Sequence, residues 1–129
     1  MGAQENKDFI RRYLGALSGK PKPPELVDQF VAEQPLKDHI ATYESAFPGY
    51  EMEIEKVIAE DELVSVIGRA RGTQKSPFMG MPSMGKSFDI PYQLTYQIKE
   101  GKIVDHWMVV DTLAFMQQLG FIPSPTGAA

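Results

Sequence analysis

The apolar residues of this chain change their spacing at Pro48-Gly49, from helical to alternating, and that change limits the folds open to it. Before it they recur at helical period. Phe9, Ile10, Tyr13, Leu14 and Leu17 share one face of a first helix, with Arg11 and Arg12 turned away. Ser18-Gly19 stops that helix, and Lys20-Pro21-Lys22-Pro23-Pro24 predicts an extended connector, because proline removes helical donors and restricts its neighbours. A short helix over Glu25 to Val31, with Leu26, Val27 and Phe30 inward, comes next. A third starts at Pro35 and carries Leu36, Ile40, Tyr43 and Phe47.

After Pro48-Gly49 the period falls to two. Tyr50, Met52 and Ile54 alternate with Glu51, Glu53 and Glu55, giving a strand with one wet side. Glu60-Asp61 turns into a second strand over Leu63 to Arg71, followed by a long loop from Gly72 to Lys86. The clearest strand comes next, with Phe88, Ile90, Tyr92, Leu94, Tyr96 and Ile98 on one face; Pro91 marks a bulge or an edge in its first half. The last strand, Ile103 to Val110, sets Val104, His106, Met108 and Val110 against Ile103, Asp105, Trp107 and Val109. Asp111 or Thr112 caps a closing helix with Leu113, Met116 and Leu119, which Gly120 ends. The fold class is therefore α+β: helices packed against one face of a curved, mainly antiparallel four-stranded sheet, with a cavity between them.

A length of 129 residues suits a single domain over 1–129, with 123–129 a flexible Pro- and Gly-containing tail. A net charge of -4 leaves no basic face for phosphates, which excludes nucleic acid as a partner. Without cysteine there are no disulfides, thiolate metal sites or cysteine nucleophiles. The first residues lack the apolar core of a signal peptide, and no apolar run reaches the ~20 residues that span a bilayer, so the expected location is the cytoplasm, without membrane association.

Several segments together carry a family resemblance. They are the Arg11-Arg12 helix, the helix ending Ala46-Phe47-Pro48-Gly49, the loop from Gly72-Thr73 through Phe78-Met79-Gly80-Met81-Pro82, the stretch Gly101-Lys102-Ile103-Val104-Asp105-His106-Trp107, and Met116-Gln117-Gln118-Leu119-Gly120. From Glu5 to Ile122 the chain resembles the SnoaL-like polyketide cyclases, the ester-cyclase branch of the NTF2-like superfamily. The resemblance implies a cone-shaped α+β barrel, a homodimer, and a pocket that works without a cofactor. In that family an aspartate on the last strand takes a proton beside a carbonyl, and a histidine on the preceding strand assists it. The matching positions here are Met108 and Leu94, neither of which can move a proton.

Chemistry must then come from other residues. His106 shares the Met108 face and is the first acid/base candidate, with a partly buried, hydrogen-bonded histidine as the plain alternative. Asp111 is a displaced base or simply a helix cap. Tyr13, Tyr92, Leu94, Tyr96, Met108, Phe78 and Met81 form the expected substrate-binding set, with Met79, Met81 and Met84 an adaptable lid. His39 is expected on a solvated helix surface, and two histidines without metal-ligand spacing indicate no metal. Trp107, with Ile103 and Val109, forms an outer apolar face suited to a homodimer. Three functions stay open: cofactor-free cyclase, isomerase or lyase chemistry on a small apolar carbonyl molecule; a non-catalytic ligand-binding or dimeric scaffold protein; or hydrolysis by a pocket-activated water, for which Asp111, Gln93 and Arg69 are the available pieces.

Overall fold

The structure is a computed structural model, described here for residues 2–123. The expected tail at 123–129 therefore lies, apart from Pro123, outside the described residues. Helix α1 (Ala3–Leu17) begins well ahead of Phe9, because the polar stretch before it is also a good helix former with Glu5 in the first turn. Asn6, buried on this early part, donates to the Asp61 carbonyl at 2.9 Å and ties the helix to the first hairpin.

Helix α2 (Pro24–Asp28) is shorter than the apolar spacing predicts. Val31 leaves it to bridge Ile103 in parallel, with Ile103 N–H donating to Phe30 O at 2.8 Å and Ala32 N–H to Ile103 O at 2.8 Å. Those two sheet-like bonds replace the helical ones the segment gives up. Helix α3 (Gln34–Ala46) carries Pro35 in its first turn and buries Leu36 and Ile40.

The strands β1 (Glu51–Glu60), β2 (Leu63–Thr73), β3 (Ser87–Lys99) and β4 (Lys102–Val110) form an antiparallel meander in the order β1-β2-β3-β4. The inner face, with Val64, Val66, Ile90, Leu94 and Tyr96, packs against Ile10, Tyr13, Leu17 and Ile40 of the helices in one core. Between Ile54 and Lys56 a bulge bends β1. There the β1 backbone lies so close to Gly68 of β2 that a Cβ on Gly68 would stand 1.8 Å from the Glu53 carbonyl oxygen. Pro91 pairs with Arg69 on the β2 side, while β4 begins to pair only at Tyr92, so Pro91 sits where β3 becomes an edge.

A second bulge corrects the reading of β4. Gln97 pairs with Asp105 but Ile98 pairs with Ile103, so Val104 is the extra residue and the alternation reverses there. Ile103 is consequently 0% exposed in the core, not on the outer face beside Trp107. Beyond the bulge the expected alternation holds, and Trp107 is 52% and Val109 68% exposed. Helix α4 (Thr112–Gln118) closes the end of the sheet, capped by Asp111, whose Oδ1 accepts from Ala114 N–H at 2.9 Å. Gln118 covers the edge that β4 leaves open: Asp89 N–H donates to its Oε1 at 2.7 Å and its Nε2 donates to Asp89 O at 3.2 Å. Among the described residues no helix is long and apolar enough to cross a membrane.

Candidate functional site

A cavity of about 190 Å³ lies between α1, α3 and the inner face of the sheet, closed at one end by α4 and the loop after β2. Tyr13, Phe78, Tyr92, Leu94, Tyr96, His106 and Met108 of the predicted set all line it. The β3–β4 register explains why: Tyr96 stands opposite His106 and Leu94 opposite Met108, so their side chains share the inner face. Two predicted residues are not among the lining groups. Asp111 is engaged as the α4 cap. Met81 closes a tight turn with Phe78, through mutual backbone bonds of 2.9 and 2.8 Å with positive φ at Met79 and Gly80. That turn drives Phe78 into the cavity wall and leaves Met79 81% exposed at the rim.

His106 does not stand alone. Its Nδ1 pairs with Glu33 Oε1, a carboxylate from the N-cap residue of α3, and both side chains are mostly buried. A carboxylate only accepts, so Nδ1 carries the hydrogen and Nε2 is the nitrogen left to take a proton. Glu33 escaped sequence reading because it lies 73 residues from His106 and its local setting suggests only a helix start.

His39 overturns its sequence assignment. It lines the cavity, its ring lies 4.3 Å from that of Tyr43 and 6.5 Å from that of His106. The apolar stripe of α3 is wider than Leu36, Ile40 and Tyr43, and His39 falls within it. Burial, reinforced by His106, lowers its pKa to about 4, so it is neutral at physiological pH.

Two phenols complete this pole. Tyr13 and Tyr96 meet edge to face at 5.7 Å, and neither hydroxyl bonds another protein group among the described residues. Burial holds both well above the ordinary tyrosine pKa, Tyr13 further through Tyr50 and Glu33, and Tyr96 through Tyr13, so both stay protonated donors. Tyr92 is different: its hydroxyl donates to the Glu53 carbonyl at 3.0 Å over the β1 bulge.

The far wall is aromatic, with the Phe115 ring 5.7 Å from that of Phe78 and 5.0 Å from that of Phe88. Lys22, from the proline-rich connector, also reaches the cavity. Its buried Nζ donates to Lys20 O at 2.9 Å, Glu44 Oε1 at 2.9 Å and Tyr50 O at 3.0 Å, and lies 4.0 Å from the Tyr50 ring centre. Burial lowers its pKa while Glu44 opposes the shift. Glu33, Asp105 and His106 also offer potential ligand atoms within 4.8 Å of one another. The same three residues also make the Glu33–His106 pairing and a 2.8 Å bond from the His106 backbone N–H to Asp105 Oδ1.

The fold has close structural relatives. AclR from Streptomyces galilaeus, a candidate hydroxylase, superposes with a TM-score of 0.80 at 19% identity, covering 95% of this chain and 85% of its own. TsrD from Streptomyces laurentii gives 0.79 at 18% identity, covering 95% and 99%. A candidate SnoaL-like polyketide cyclase from Jannaschia gives 0.73 at 22% identity, covering 94% and 95%. No protein of curated function matches the chain by sequence. The family model for the SnoaL-like polyketide cyclases matches residues 21–119, which takes in the connector, α3, the whole sheet and α4. The structural likeness is one of α+β fold, and by the family match the chain belongs to the SnoaL-like polyketide cyclase family.

Proposed function

We propose that this protein binds a small, mostly apolar carbonyl compound and catalyses cofactor-free acid–base chemistry of the cyclase or isomerase type. The observation that carries the reading is His106, backed by Glu33, on the wall of a largely apolar cavity beside two unbonded phenols. His106 Nε2 takes a proton from the carbon next to the carbonyl. The resulting enolate oxygen is held by the Tyr13 and Tyr96 hydroxyls, and Glu33 keeps the ring oriented while it carries the extra proton. Returning the proton to a different carbon isomerises the molecule; in a ligand with a second carbonyl, attack of the enolate carbon on it closes a ring, and the proton held on Nε2 passes to the alkoxide so formed. A base supplied by β4 in this way stands in for the aspartate that the cyclase resemblance puts at Met108.

The test is deuterium uptake next to the carbonyl of a ketone ligand in heavy water. His106→Gln should slow exchange by about 10²-fold or more, and Glu33→Gln by roughly tenfold or more, with folding retained by circular dichroism. Equal exchange in all three proteins would sink the acid–base role. A non-catalytic binding or scaffold protein is the second reading, favoured by Met108 on the cavity wall. In either case the exposed row of Trp107 and Val109, with Ile58 and Leu63 further across the sheet, suits a homodimer contact. Light scattering should give twice the chain mass, and Trp107→Glu should return the mass to that of one chain.

A further inference from the structure

Resting on the carbonyl-binding reading above, we infer that the ligand is an uncharged, single-ring compound with a carbonyl at the Tyr13–Tyr96–His106 pole and its ring beside Leu94 and Met108. The size follows from the cavity. An apolar cavity of about 150 Å³ holds one benzene, so 190 Å³ accommodates ~8 non-hydrogen atoms at the same filling. A ring with one short carbonyl substituent, about nine atoms, lies at that limit, and a fused two-ring ketone of about thirteen lies well beyond it.

The charge follows from what the polar groups are already doing. Lys22 is the lysine on the wall, and its Nζ is committed to Glu44 and two carbonyls, so a ligand carboxylate would find no free cation there. At the other pole, any positive charge on His106 is matched by Glu33, and His39 is held neutral by burial. A carboxylate would therefore enter the apolar cavity without a counter-charge, which is costly. A neutral carbonyl oxygen instead meets two hydroxyl donors with no other protein partner among the described residues. The ring lies beside Leu94 and Met108, which pair with each other two residues along the strands from Tyr96 and His106 and share their inner face.

Three commercial probes separate these features: acetophenone, benzoate, which keeps the ring but adds a charge, and 2-acetonaphthone, which keeps the ketone but adds a ring. Each is titrated at about pH 7 into nitrogen-15-labelled protein, following the Leu94 and Tyr96 amides. Acetophenone should shift these amides saturably, with the other two at least roughly tenfold weaker. Failure of acetophenone to bind, or equal affinity for either competitor, overturns the inferred ligand class. Methyl deuteration of bound acetophenone is read in parallel and reports on the acid–base proposal alone. Size- and charge-selective binding without deuteration supports the class and rejects that chemistry, whereas deuteration with no selectivity rejects the class.

Discussion

The buried neutral His39 should make the protein acid-sensitive in a defined window. Its pKa falls from the ordinary 6.5 to about 4 because burial, and then the neighbouring His106, penalise the charged ring. Withholding the proton over that range corresponds to roughly 3 kcal/mol. Between those two pH values the unfolded chain binds a proton that the folded chain does not, so stability falls as pH is lowered from about 6.5. The loss is complete near pH 4, where the folded ring also protonates. Other groups titrate in the same range, so the measurement is a difference between two proteins. His39→Phe keeps the aromatic contact with Tyr43, 4.3 Å away, and removes the titration. Urea unfolding at about pH 7 and about pH 4 should show the wild type losing roughly 3 kcal/mol more than the variant. Parallel losses, agreeing within about 0.5 kcal/mol, would refute the argument that His39 is buried and neutral.

Two further substitutions probe what shapes the cavity. Gly68→Ala forces a methyl group onto the Glu53 carbonyl and should cost about 2–4 kcal/mol in urea unfolding, since neither strand can move without disrupting the β1 bulge. Lys22→Ala takes the cation from the Glu44 carboxylate, which among the described residues keeps only the Gly49 N–H, and one of two donors from the Tyr50 carbonyl, which keeps the Gly19 N–H; it should cost about 2 kcal/mol, with a smaller loss in Lys22→Met, which keeps the aliphatic packing.

The element order and the inner face of the sheet were legible because period-two alternation is a local property of the chain. Tyr92, Leu94, Tyr96, His106 and Met108 meet as the pattern predicts. What escaped reading depends on geometry that the pattern does not encode. The bulge at Val104 costs one residue of register, and this alone moves Ile103 from the outer face to the core. His39 lies on the margin of its helical stripe, where the depth of the groove decides burial. Glu33 and Lys22 sit in segments whose composition suggests solvent, Glu33 at a helix start and Lys22 among prolines. Tertiary packing turns both inward and supplies their partners. The charged part of the site is thus built mostly by long-range contacts, while its apolar walls are written in the strands.

Gln118 does more than finish a helix. By using both ends of its amide on the backbone of Asp89, it occupies a stretch of β3 that would otherwise present free peptide groups to a passing extended chain. The helix that roofs the cavity is therefore also a guard against strand addition and aggregation. Releasing α4 to widen access to the cavity would uncover that edge at the same time. Mutations that loosen α4, including those selected to admit bulkier molecules, would carry a cost in colloidal behaviour before they cost the fold.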